Sequence, residues 1–190
     1  MIAPPPPAYV QTAQALAACG IPAANIRMRY GEDYQSDVVT ISDTGPPTED
    51  KFRCVQRATS PRFILEIENP GQEEAFNGYE GAQARRHAKA QAIAWLKERH
   101  MLDRVPRYDA SKGIDAYQRA LEAACRLPAG SALETDSSTR FTFRRTFVAR
   151  PARVQERALT CLLQMVWASE PEQQGVALVL IGNEAFRPTP

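Results

Sequence analysis

Glu66 and Glu68 stand two apart in the run FILEIEN (residues 63–69). On a strand, that spacing projects both carboxylates from one face. Paired carboxylates can split their pKa values for acid/base work or hold a hard cation. Asn69 follows, with Glu73 and Glu74 close behind. The same spacing equally describes the solvated face of a sheet. A small hydrolase or metal-dependent enzyme centred on Glu66, Glu68 and Asn69 is therefore carried as an alternative reading.

Basic residues gather in two places. Arg85, Arg86, His87 and Lys89 lie within one helical stretch, and Arg140, Arg144, Arg145, Arg150 and Arg153 span a second region. Phe141, Phe143 and Phe147 alternate with the latter group. Aromatics interleaved with arginines can stack on bases and neutralise phosphates. In a strand, however, the three Phe share one face and Arg140 and Arg144 take the other, as in a half-buried strand. An anion or nucleic-acid binder is a second alternative. The formal net charge of +1, from 23 basic and 22 acidic residues, speaks against nucleic acid as the partner.

Other chemistry has no motif. There is no GxGxxG, no P-loop and no GxSxG elbow. The two histidines, His87 and His100, would lie about 20 Å apart along a helix, too far to share a metal. No cofactor and no metal ligand set is expected. Cys19, Cys54, Cys125 and Cys161 form no CxxC and no zinc spacing. The favoured reading is four reduced, buried thiols in a cytoplasmic protein. The other pairs Cys19 with Cys54 and Cys125 with Cys161, which needs an oxidising compartment.

The elements that must position these residues repeat. ALAACGIPA (15–23) matches ALEAACRLPA (120–129) if Glu122 is treated as an insertion. FRC (52–54) then matches LTC (159–161), FILEIEN matches ALVLIGN (177–183), and EAF follows in both halves. Common order and near-equal spacing argue for duplication. Helical spacing of Val10, Ala13 and Ala17 predicts a helix over 8–20, closed by Gly20 and Pro22. Its counterpart spans 113–126. Extended runs follow at 25–30 and 37–42, and at 132–135 and 140–148. Helices are predicted at 48–58, with Thr48 as N-cap, and at 151–169. Strands close the halves at 62–69 and 175–182.

The expected fold class is thus α+β, an internal duplication of an α-β-β-α-β unit, the halves joined by a long helix and sharing one core. Residues 1–7 form a Pro-rich arm, 8–69 the first repeat and 70–112 the connecting helix and loop, the helix covering 72–100. Residues 113–186 form the second repeat and 187–190 a tail. Each half is small for an independent core, hence the expectation of one compact domain. The chain has 190 residues, 44% of them hydrophobic, and no apolar run long enough for a membrane span. The N-terminus MIAPPPP lacks the charged and apolar regions of a signal peptide. The functional expectation is a non-enzymatic binding or interaction protein. Its partner would be itself, as a homodimer through the Ala-rich helix (the Ala84, Ala88 and Ala92 stripe) or the uncapped closing strands, or another protein.

Overall fold

A computed structural model describes residues 8–149 and 152–179. The Pro-rich arm, the tail and the part of the last predicted strand beyond residue 179 lie outside the described residues. The protein is mixed α and β. It divides into two compact units, residues 1–84 and 85–190.

The first unit contains α1 (Ala8–Ala18), β1 (Ile26–Gly31), β2 (Ser36–Ile41), α2 (Glu49–Thr59), β3 (Phe63–Ile67) and the start of α3 (Pro70–Glu98). β1 and β2 form an antiparallel hairpin, and β3 returns through α2 to lie parallel to β2, giving the order β1-β2-β3. Strand alternation decides which face is covered. Val39, Ile41, Phe63 and Ile67 point into a core closed by Leu16, Ile21, Phe52, Val55, Phe76 and Tyr79. Thr48 caps α2 as its sequence predicts, the hydroxyl accepting from Lys51 N–H, and Glu49 and Asp50 favour the positive end of the helix. Gln72, in the first turn of α3, ties down the loop after β2. Its amide oxygen accepts from Thr44 N–H at 2.8 Å, and its amide nitrogen donates to Asp43 Oδ1 at 2.7 Å.

The second unit also runs helix, two strands, helix and strand, with a short additional helix after its second strand. It holds the rest of α3, then α4 (Gly113–Ala124), β4 (Leu133–Ser137), β5 (Arg140–Phe143), the short α5 (Arg145–Val148), α6 (Ala152–Ser169) and β6 (Ala177–Val179). β4 and β5 are antiparallel and β6 is parallel to β5. Its core gathers Leu96, Tyr117, Leu121, Phe141, Phe143, Phe147, Leu162 and Met165.

Several expectations are corrected. One shared core is replaced by two three-stranded sheets, each with its own apolar cluster. A unit this small is held together by more than apolar burial, because all four cysteines are oxidised. Cys19–Cys54 staples α1 to α2, and Cys125–Cys161 staples α4 to α6. The reading as four reduced thiols is therefore overturned, and the pairing within each half holds. α1 buries Thr12 and Leu16, while Val10 is exposed. An Ala-rich helix gives periodicity too little contrast to fix its face. The run 140–148 is not one strand. It breaks at Arg144, and Phe147 reaches the core from α5, stacked at 6.0 Å on Phe143.

Counted from the helix-ending turn, Glu122 sits in α4 where Leu16 sits in α1. Leu127 N–H donates to Glu122 O as Ile21 N–H donates to Leu16 O, and Arg126 N–H to Ala123 O as Gly20 N–H to Ala17 O. Gly20 and Arg126 both take positive φ in these helix-ending turns. Leu16 and Glu122 thus hold the same backbone position, and both are fully buried. The Glu122 carboxylate is saturated by the next loop. One oxygen accepts from Ala132 N–H at 2.7 Å and Leu133 N–H at 3.0 Å, and the other from Gly130 N–H at 2.5 Å. A buried carboxylate needs such donors, and here they fix where β4 begins.

Candidate functional site: side-chain pairs and a cleft beside β3

β3 carries Glu66, and Glu68 directly follows it, so both project from the sheet face opposite the core. Each meets an arginine of β1. Arg29 Nη2 donates to both Glu66 oxygens, at 3.1 and 3.3 Å, and Thr40 on the intervening β2 donates to Glu66 Oε2 at 3.0 Å. Arg27 pairs with Glu68. Both carboxylates therefore lean across the sheet towards β1. Such half-exposed pairs contribute roughly 0–1 kcal/mol each. The sequence carried a signal for them, since Arg27 and Arg29 alternate in β1 as the glutamates do near β3. Asn69 is the helix cap of α3, its side-chain oxygen accepting from Gly71 and Gln72 N–H. Among the described residues no three His, Cys, Asp or Glu side chains gather at metal-binding distance.

The basic candidates belong to the second unit. Arg85, Arg86 and His87 occupy an exposed part of α3, where the His87 ring nitrogen hydrogen-bonds the Gln91 amide at 2.8 Å. Arg140 pairs with Asp136 at 2.7 Å. Arg144 faces Glu134 at 3.7 Å and donates through Nε to Leu133 O at 3.0 Å. The hairpin arginines thus pair with carboxylates of the adjoining β4. Phe141, Phe143 and Phe147 are buried, so none of them offers a face to a base.

Sequence reasoning missed two concave sites. The first, of about 290 Å³, lies in unit 1 between the end of α2, the outer edge of β3 and α3. Phe63, Leu65, Ile67 and Phe76 form its floor, and Glu73, Asn77 and Glu80 its rim. The rim residues recur at helical spacing on α3. Gln56 Nε2 donates to Glu80 at 3.2 Å, while Glu73 has no side-chain partner among the described residues. Three elements contribute, so the sequence offered the uncapped strand and the polar stripe of α3 but not the concavity between them.

The second site, of about 560 Å³ in unit 2, is lined by Ile93, Leu102, Val105, Ser169 and Glu170 among others. Lys89 pairs with Glu170 there. Below it the Tyr117 hydroxyl is hydrogen-bonded to Ser169, and its ring meets Tyr108 and Phe141 edge-on. Burial raises the Tyr117 phenol from 10.0 to about 12, with the Ser169 bond pulling slightly the other way. The fold favours the neutral phenol, so this stabilisation is complete below pH 10 and is lost as pH climbs to about 12. Ultraviolet titration of the six tyrosines should show a late step that Tyr117→Phe removes. Its persistence in the variant would reassign it.

Among the described residues, no helix is long and apolar enough to cross a membrane. Compared with known proteins, the chain matches no family model, no curated protein and no solved structure.

Proposed function

We propose that the chain is a non-enzymatic binding protein of an oxidising compartment, built by duplication of a disulfide-stapled α-β-β-α-β unit, and that the cleft beside β3 is where it binds. The observation that carries the binding reading is the contrast between two surfaces. Glu66, Glu68, Asn69, Arg140 and Arg144 are already engaged by their own units. The cleft instead joins a concave floor to the side of β3 that meets no other strand among the described residues. Two disulfides at the same place in two like units support the compartment, since such bonds persist where thiols are oxidised. They weigh against the cytoplasm. The matching helix-end hydrogen bonds of α1 and α4 support the duplication.

The test is site-specific photo-crosslinking in cells, with a photoreactive residue at Asn77 in the cleft or at Lys97, an exposed position of α3 in the other unit. The reading expects Asn77 to trap one recurrent polypeptide, identified by mass spectrometry as another protein or a second copy, and Lys97 not to. Equal, diffuse labelling from both positions would overturn it.

A further inference from the structure

We propose that the cleft beside β3 takes an extended polypeptide segment rich in Lys or Arg, which adds to the sheet as a strand along β3. This names the occupant of the site in the preceding reading and rests on it.

Three observations combine. β3 is the last strand of its sheet, and among the described residues no hydrogen bond reaches its outer edge from another element. An open edge offers backbone N–H and C=O groups in register for an incoming strand. Proteins usually block such edges with charged side chains. Here the two charges at β3, Glu66 and Glu68, are drawn the other way, across β2 to Arg29 and Arg27. The edge is thus left without its own guard.

The cleft runs beneath this edge. Its floor is made by the core-facing side chains Phe63, Leu65 and Ile67, so alternate side chains of an added strand would point onto it. β3 has five residues, about 17 Å of edge. A segment of that length fits a shallow groove better than a compact small molecule does.

Charge sets the chemistry of the segment. Glu73 and Glu80 are both on the cleft wall, and no Lys, Arg or His lines it. Glu73 is unengaged among the described residues, and Glu80 holds only a neutral amide. Cationic side chains on the outer flank of the added strand would meet these carboxylates. Arg62, stacked 5.9 Å from the Phe63 ring centroid, marks the start of β3 with the opposite sign, so the basic residues belong beside α3 rather than at that end.

The test uses the oxidised full chain and a displayed library of random short peptides. Selection should enrich Lys and Arg at alternate positions among β-branched residues. Affinity of a selected peptide should fall at least tenfold on the Glu73→Lys/Glu80→Lys variant. Should that variant melt early, Glu73→Gln/Glu80→Gln replaces it. Affinity should also fall at least tenfold when alternate peptide nitrogens are methylated, which removes ladder donors but keeps the charge. Full binding by the methylated peptide overturns strand addition. Acidic or neutral selected sequences overturn the charge assignment. No enrichment, together with successful crosslinking at Asn77, overturns this inference and leaves the binding reading intact; failure of both removes the two together.

Discussion

Removing the Cys125–Cys161 bond by a Cys125→Ala/Cys161→Ala double substitution is expected to cost unit 2 about 4 kcal/mol. The bond closes a loop of 36 residues. Loop-closure entropy in the denatured chain puts such a cross-link at about 4 kcal/mol. The same holds for Cys19–Cys54, with a separation of 35. Whole domains are stable by only ~5–15 kcal/mol, so either loss is a large fraction of the total. Hydrogen exchange should locate the effect. The Cys125/Cys161 variant should lose amide protection in α4 and α6, the two helices that bond joins, and the Cys19/Cys54 variant in α1 and α2. A reductant added to the unaltered chain should reproduce both losses. Unchanged protection in the variants would mean that apolar packing alone holds each helix pair.

Replacing Glu122 by leucine, the residue that unit 1 uses at the same backbone position, is expected to cost about 3–5 kcal/mol. Size and shape are nearly kept, so the loss isolates the carboxylate. Three backbone donors would lose their acceptor, and two of them, on Ala132 and Leu133, belong to buried residues. Glu122→Gln should cost less. Its remaining oxygen can keep Ala132 and Leu133, but its amide then faces Gly130 N–H, donor against donor. Urea unfolding should therefore rank the wild type above Gln and Gln above Leu, with exchange at Leu133 accelerated first. A leucine variant within about 1 kcal/mol of wild type would show that the loop finds other acceptors.

These two features mark where sequence reading reached and where it stopped. α2 was legible only through its counterpart at 151–169, since KFRCVQ alone also suits a strand; the Thr48 cap and the acidic first turn are then what the structure uses. The hairpins were legible because polar turns separate short alternating runs. Treating Glu122 as an insertion followed from aligning Ala-Leu with Ala-Leu, which hides that a buried position can carry a carboxylate. Its role depends on donors eight to eleven residues further on. Phe147 was assigned to a strand face because period-two spacing from Phe141 and Phe143 continued past a break that only the backbone reveals. Glu66, Glu68 and Asn69 stand out by spacing, but what engages them, Arg27, Arg29 and the first turn of α3, is set by tertiary and capping contacts. The cleft was beyond reach, because a concavity belongs to three elements at once.

The order of the cysteines has a consequence for how the protein is made. Four cysteines allow three pairings. In this chain each bond joins neighbours in sequence, and each lies within one unit. A chain emerging N-terminus first presents Cys19 and Cys54 to an oxidant before Cys125 exists as a competitor. In a chain oxidised as it emerges, this order favours the native pairing over the two alternatives.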